Sequence, residues 1–235
     1  MALFKHIPHA SKSLRVLALL LGYPDAQLRA YLPDLRTALQ EEQALPAERL
    51  AELGALIDTL AHKAALEAES DYVELFDRGR ATSLHLFEHV HGDSRDRGPA
   101  MIDLTKTYEQ AGLYLGEDEL PDFVPVVLEF TSTLEPRQAR EFLAEMAHIF
   151  NAIFAALQKR ESPYAAVLGA LLELAGEKAS AVEIAPEEPI DAVWEEPVVF
   201  DGCSSKGQAR PDQAQPIHIV PKAARQAHSS QGARQ

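Results

Sequence analysis

Two histidines and a glutamate stand close together in the segment HLFEHVHG, residues 85–92. His85, Glu88 and His89 follow the order H-x-x-E-H, which one class of zinc peptidase uses to bind its metal and activate water. On a helix, the two histidines would lie one turn apart on one face, with Glu88 beside them. One hypothesis is therefore a zinc-dependent hydrolase.

The same octet has an interpretation that needs no metal. A catalytic zinc site requires a third protein ligand and supporting contacts, and the sequence indicates neither. Gly92 is a natural helix stop, so His89 and His91 would fall in the last turn, where the helix dipole favours imidazolium. No G-x-S-x-G elbow, P-loop or G-x-G-x-x-G is found. The sequence thus predicts no catalytic residue, no metal and no resident cofactor, and we do not expect an enzyme.

Composition limits the partners. The 235 residues are 46% hydrophobic, enough for a substantial core, and carry a formal net charge of −14, which repels nucleic acid and anionic membranes. Cys203 is the one cysteine, so no internal disulfide can form, which favours a reducing cytoplasm. No apolar run reaches the roughly 18 residues of a membrane span.

The elements that would position the octet are helices. Residues 1–176 show apolar spacings of three and four with helix start and stop signals, and no strand alternation. The predicted helices run from Ser13 to Gly22, from Asp25 with a break or restart at Pro33, over 47–68, from Pro136, and from Ser162-Pro163 to Gly176. This pattern predicts an all-α chain with a single helical, bundle-like domain.

The composition changes after Gly176. Residues 183–201 hold seven acidic side chains, no Lys or Arg, and three prolines, and a segment rich in Gln, Ser, Gly and Pro follows. Such a segment buries too little apolar surface to offset its ordering entropy. We therefore predict a mostly disordered tail over 177–235, acidic and then polar.

Arginines and acids alternate through residues 72–98, YVELFDRGRATSLHLFEHVHGDSRDRG. Three interpretations are open: a buried ion network that fixes a turn, a solvated surface, or a recognition surface anchored by aromatic residues.

This stretch closely resembles the signature of the respiratory nitrate reductase delta subunit, within the wider group of redox-enzyme maturation chaperones. Further segments are similar to the family along nearly the whole chain: LLGYPD, AMIDLTKTYEQAGL, ELPDFVPVVLEF, RESPYAAVLGALLELA and DAVWEEPVVF. Two positions depart from the pattern. Phe123 stands where the wider group has a histidine after the aspartate, and His85 stands where an aliphatic residue is usual, which weakens the zinc hypothesis.

The resemblance implies an all-helical cytoplasmic chaperone that is not part of the final enzyme. Such a chaperone binds the catalytic (alpha) subunit of nitrate reductase through its N-terminal peptide and keeps it competent for insertion of the molybdenum cofactor and an iron–sulfur cluster, before membrane docking. Neither a nucleic acid nor a membrane-embedded state is expected. A third possibility is a helical interaction module for another large oxidoreductase. The central motif argues against it, because it resembles the nitrate reductase family specifically.

The predicted peptide site is a groove with an acidic rim. Its lining is Tyr72, Leu75, Phe76, Leu86 and Phe87, and its rim is Asp77, Asp122 and Glu129. We expect Arg80, His89, His91 and Arg95 to hold the adjoining turn. Apolar residues at helical spacing are usually core residues, which is the competing interpretation of the lining.

Overall fold

The computed structural model describes residues 7–91, 94–116 and 119–179, and helices and turns make up these residues without a strand among them. The α-helices in these ranges are α1 Ser11–Leu20, α2 Ala26–Glu42, α3 Ala47–His62, α4 Ala65–Tyr72, α5 Leu86–Val90, α6 Arg97–Gln110, α7 Val124–Thr131, α8 Pro136–Lys159 and α9 Ala165–Ala175. A π-helical turn, Val73–Asp77, and a 3₁₀ turn, Arg80–Thr82, lie between α4 and α5. The predicted all-α class is confirmed.

The core lies where α9 contacts α8, α3 and α1, while α1 also packs against α7 and α2. Each of these helices contributes buried apolar side chains, and all of them except α2 contribute one with no exposed surface: Leu17, Leu53, Leu128, Phe150 and Leu171. The burial of apolar area on every one of these helices stabilises the fold, since helices of this length are marginal alone.

The prediction is most accurate at the end of the described chain. A helix begins at Pro136, which occupies the first helical position, and continues for 24 residues. Five residues separate it from α9, which ends at Gly176, whose φ of 79° is left-handed. Glycine adopts that conformation without a Cβ penalty, so the helix ends there.

The predicted N-cap of α1 is wrong. The helix begins at Ser11, and Ser13 is a buried residue inside it. The cap comes from another helix: the Glu42 carboxylate, at the end of α2, accepts from the backbone N–H groups of Lys12 at 2.9 Å and Ser13 at 2.6 Å. A carboxylate at a helix N-terminus is stabilising because free N–H groups and the dipole both favour it.

The predicted break at Pro33 is also wrong, because α2 runs through the proline. Asp25 caps the helix by accepting from the Leu28 N–H at 2.8 Å. Pro33 removes one helical hydrogen bond, but a continuous stripe of leucines on one face is buried on both sides of it. The stripe consists of Leu28, Leu32, Leu35 and Leu39.

The single helix predicted over 47–68 is two helices, α3 and α4. The chain becomes extended at Lys63 and Ala64. The Arg29 guanidinium reaches this point from α2 and donates to the carbonyls of Leu60 at 2.6 Å and Lys63 at 2.7 Å. A side chain thus satisfies carbonyls that a continuing helix would have bonded itself.

All described residues belong to one compact unit. The division at 176 into a helical domain and a low-order tail stays a prediction, since the tail from 180 onward lies outside the described residues. In the described part of the chain, no helix is both long enough and apolar enough to cross a membrane.

Candidate functional site

The first residues of the predicted groove are core residues. Tyr72 and Phe76 are each 5% exposed and form an aromatic cluster with Tyr164, in which the Phe76 and Tyr164 rings meet edge-on at 5.1 Å. The Tyr72 hydroxyl donates to the Leu21 carbonyl at 2.8 Å, and burial raises the pKa of Tyr72, so the phenol stays a donor. Leu75 and Asp77, on the same π-helical turn, are half-buried and exposed respectively.

The turn that follows depends on a glycine and a threonine. Thr82 is buried, and its hydroxyl donates to the carbonyls of Leu75 and Gly79. Gly79 lies so close to the Thr82 hydroxyl and the Leu75 carbonyl that a Cβ would collide with both. Local backbone contacts therefore close this turn, next to Arg80.

The start of α5 is paired with the start of α7. Leu86 N–H donates to the Asp122 carbonyl at 3.0 Å, and Val124 N–H donates to the Leu84 carbonyl at 2.9 Å. These two bonds form an antiparallel bridge between His85 and Phe123, whose rings lie 5.2 Å apart. The bridge brings the histidine of the octet to the aspartate of LPDFVP.

Asp122 is the central polar group of the site and has no exposed surface. Its Oδ2 accepts from the Phe87 N–H at 3.1 Å, which caps α5 from outside that helix. Oδ1 lies 3.5 Å from His85 Nδ1, and Arg97 Nη2 lies 3.9 Å from Oδ2 and 3.7 Å from Glu88 Oε1. Because a buried carboxylate needs partners, Asp122 fixes α5 and the first residue of α6 relative to α7.

Asp122 and His85 lie within ion-pair distance but fall short of hydrogen-bond geometry, and neither Oδ1 nor Nδ1 has a hydrogen-bond partner among the described residues. The Asp122 carboxylate raises the pKa of His85, and the charge of Glu88 adds to this, while burial and Arg97 act in the opposite direction. The pair therefore favours the protonated imidazole.

The structure separates the histidines of the octet. His85 is extended and precedes α5, so it does not share a helical face with His89. The His89 Nε2 atom lies 2.9 Å from the Ser83 carbonyl, and the His91 ring packs edge-on against Phe87 at 5.4 Å. No group of three His, Cys, Asp or Glu side chains in the described ranges is placed to hold a metal ion. Gly92, the predicted stop, lies outside the described residues.

The structure brings some predicted site residues together and separates others. Asp122 contacts the backbone of Leu86 and Phe87, as the predicted groove requires, but Leu86 itself is 2% exposed. Leu75 lines a cleft between α3, α4 and residues 160–164, and Asp77 lines a different pocket with Phe76 and His85. Peptide contact by these residues stays a prediction.

Arg97, which the sequence analysis did not select, lies beside Asp122, and the turn roles predicted for Arg80, His89, His91 and Arg95 stay predictions. Alternating charges gave the residue type but could not choose among neighbouring arginines. His85 was considered only as a metal ligand, and its pairing with Asp122 depends on the bridge to Phe123, which joins segments nearly 40 residues apart.

Glu129 lies on a third surface, a cleft of about 400 Å³ between α1, α7 and the residues that follow α6. Tyr108 and Phe130 form its buried floor, with ring centroids 4.8 Å apart. Apolar side chains that remain open to solvent surround this floor: Leu19, Leu113 and Tyr114. Sequence reasoning did not select these residues.

Comparisons with known proteins agree with this architecture. A sequence profile described as "Nitrate reductase delta subunit" matches residues 23–169. The nitrate reductase molybdenum cofactor assembly chaperone NarJ of Escherichia coli K12 is 43% identical over 191 residues, which cover 77% of this chain and 81% of that protein. NarW of the same strain, provisionally assigned the same role, is 38% identical over 193 residues, covering 78% and 80%.

A solved structure shares the fold. It is a crystal structure from Archaeoglobus fulgidus, provisionally described as a redox enzyme maturation protein. It aligns with a TM-score of 0.50 at 19% identity and covers 75% of this chain and all of that one. At this identity the likeness concerns the fold alone.

Proposed function

The chain belongs to the nitrate reductase delta subunit family, and on that premise we propose that it is an assembly chaperone that binds a nitrate reductase during insertion of the molybdenum cofactor. The family consists of maturation chaperones and not of catalytic enzymes. The observation that carries the proposal is the 43% identity to a chaperone of this name over 81% of its length.

The finer proposal concerns the client segment. The chaperone binds the N-terminal peptide of the catalytic (alpha) subunit in the cytoplasm, and it keeps that subunit competent for cofactor and iron–sulfur cluster insertion before membrane docking. It then leaves, and is not a component of the final enzyme. An acidic helical protein with apolar clefts suits an amphipathic peptide whose apolar face enters a groove and whose basic residues meet an acidic rim.

The predicted site is proposed in a restricted form. Asp122 is buried, so we assign it the role of positioning α5. The residues of the predicted site that remain accessible would contact the peptide directly: Leu75, Asp77, Phe87 and Glu129. Tyr72, Phe76 and Leu86 support this surface from below.

The zinc-hydrolase alternative receives no support from the geometry. His85 faces Asp122 and His89 faces the Ser83 carbonyl, so the two imidazoles point to different partners. Metal analysis of the purified protein separates the two functions, because a hydrolase of this type requires stoichiometric zinc and loses activity with a chelator.

Calorimetric titration with a synthetic peptide of about 20 residues, taken from the N-terminus of the co-encoded catalytic subunit, tests the proposal. We expect saturable binding near one to one, with weaker binding of a peptide whose apolar order is scrambled. No heat, together with no competition at any accessible concentration, would show that the N-terminal peptide is not the recognised segment.

A further inference from the structure

Helix α6 is attached to the rest of the described chain by few contacts. Of its 14 residues only Tyr108 is buried, whereas the shorter α7 buries six of its eight. Among the described helices, α6 has no partner against which it packs extensively. Buried apolar area supplies most of the stability of a helix in a folded protein, and a helix of this length is marginal alone in water. The folded state of α6 therefore depends on a small number of contacts.

Two of these contacts lie at opposite ends of α6 and meet at one place. At the start, Arg97 Nη2 lies 3.9 Å from Asp122 Oδ2 and 3.7 Å from Glu88 Oε1. In the last turn, the Tyr108 hydroxyl donates to the Pro121 carbonyl at 2.8 Å. Pro121 and Asp122 are consecutive residues that precede α7, so the same short segment holds both ends of the helix. The loss of either contact weakens the attachment of the whole helix.

The surface that α6 covers is aromatic. The ring centroids of Tyr108 and Phe130 lie 4.8 Å apart, and Phe130 packs edge-on against Phe142 at 5.3 Å. Phe130 is only 6% exposed, so the departure of Tyr108 would open its ring to water. Water would also replace the Tyr108 hydroxyl as the donor to the Pro121 carbonyl. Opening of α6 thus costs the burial of two aromatic rings and leaves this carbonyl with a partner.

We propose that α6 is a flap, which detaches from α7 and loses its helical hydrogen bonds as one unit while the helical body stays folded. Pro121 and Asp122 are the latch that holds the flap closed. The flap is a conformational device that exposes the aromatic surface of Phe130 and Phe142 only in its open state. Transient exposure limits the aggregation that a permanently exposed apolar patch promotes. The inference goes beyond the proposed function and does not rest on it.

Native-state hydrogen exchange of the full chain tests the flap, because local opening and global unfolding differ in their dependence on urea. We expect protection factors of the α6 amides to be at least about 100-fold lower than those of the α8 amides. Low concentrations of urea should hardly change exchange in α6, since its opening exposes little surface. Exchange in α8 should accelerate strongly with urea, since its amides exchange through global unfolding.

Variants at the two ends test whether α6 opens as one unit. Tyr108→Phe removes the hydrogen bond to the Pro121 carbonyl and should speed exchange about fivefold along the whole helix. The decisive amides are those of Met101 and Ile102, at the opposite end from the substitution. Arg97→Gln should likewise speed exchange near Tyr108, by a smaller factor, because the side chain of Arg97 is partly exposed.

Two variants serve as matched controls. Tyr31→Phe removes a hydroxyl from an exposed tyrosine of α2, and Lys106→Gln removes a charge from an exposed position of α6 itself. Neither substitution touches the latch, so each should change exchange in α6 by less than about twofold. Exchange in α8 should be the same in all four variants as in the wild type, which would show that global stability is unchanged.

Three results would overturn the inference. If α6 and α8 share one protection factor and one urea dependence, α6 belongs to the global folding unit. If Tyr108→Phe speeds exchange in the last turn alone, α6 frays from that end and does not open as a flap. If α6 opens locally but neither end variant changes its exchange, Pro121 and Asp122 are not the latch. No client peptide enters the measurement, so a failure of the proposed function would leave each of these outcomes unaffected.

Discussion

The helical body and the segment over residues 73–123 are stabilised in different ways. In the body, formed by α1 to α3 and α7 to α9, each helix buries an apolar stripe in one core. In the segment, a π-helical turn, a 3₁₀ turn, the five-residue α5 and the sparsely buried α6 follow one another. A few of its side chains reach the same core, namely Phe76, Leu84 and Leu86, and polar contacts at Thr82, Asp122 and Tyr108 add to them.

This difference indicates where local opening of the structure costs the least free energy. Loss of apolar burial scales with area and spreads over many neighbours, whereas loss of one partner from a buried polar contact leaves a specific unsatisfied group. Regions with few buried apolar contacts open at lower free energy than the core, and binding surfaces are drawn from them. The cleft that Glu129 lines, between α1, α7 and the residues that follow α6, lies at the boundary between the two regions.

The largest expected effect on stability distinguishes the helical body from the segment over residues 73–123. Phe150→Ala in the core should lower the free energy of unfolding by about 3 to 5 kcal/mol, because Phe150 has no exposed surface and a cavity would remain. Phe87→Ala in the segment should cost only about 1 to 2 kcal/mol, because Phe87 is half-buried. Urea denaturation measures both values. Equal losses would show that the segment is packed as tightly as the body.

The next effect concerns the carboxylate that holds α5. Asp122→Ala should cost about 2 to 3 kcal/mol, since it leaves the Phe87 N–H without its acceptor and leaves Glu88 as the counter-charge near Arg97 and His85. Asp122→Asn keeps one acceptor oxygen and should lose less. Hydrogen exchange should show the faster opening in α5 and not in α8. An Asn variant as unstable as the Ala variant would mean that charge, and not the cap, is decisive.

A smaller effect is expected at the turn before Arg80. Gly79→Ala should cost about 1 to 2 kcal/mol, because the new Cβ would displace the Thr82 hydroxyl or the Leu75 carbonyl. Gly98→Ala, in α6, is the matched control: apart from its chain neighbours and the backbone of its own helix, no described atom lies within 4 Å of its Cβ position, so the variant should be neutral or slightly more stable. Comparable losses in thermal melts of the two variants would contradict the close packing of Gly79.

The same contrast explains what could be predicted from the sequence. Periodicity identifies α8 and α9 because their apolar stripes are long and Gly176 marks the end. It does not find the cap of α1, since Glu42 lies about 30 residues away and reaches the helix only after folding. In the segment, the family resemblance led to Asp122 as a rim residue of the predicted groove, but its partners Arg97 and His85 depend on a bridge between distant residues. Predictions therefore succeed where the signal is local and repeated, and fail where one tertiary contact decides.

The smallest expected effect is a pH dependence that isolates the His85–Asp122 pair. The pKa of His85 is raised by Asp122 and Glu88, so the folded state binds the proton more tightly than the unfolded chain, whose histidine titrates near pH 6.5. The contribution of the pair is thus fully present below about pH 6.5 and is lost as the pH rises through the folded pKa. His85→Leu removes this titration. The free energy of unfolding of the wild type should therefore fall relative to that of the variant as the pH rises.

Urea denaturation of the wild type and His85→Leu between about pH 5.5 and 8.5 measures this shift, across the range in which histidine charge changes. His148→Leu, at an exposed position of α8, is the control and should follow the wild type at every pH. In an Asp122→Asn background the His85 effect should largely disappear, because the main counter-charge is gone while Glu88 remains. Parallel curves for the wild type and His85→Leu would show that the 3.5 Å contact carries no proton linkage, and that the backbone bridge alone holds the start of α5 against α7.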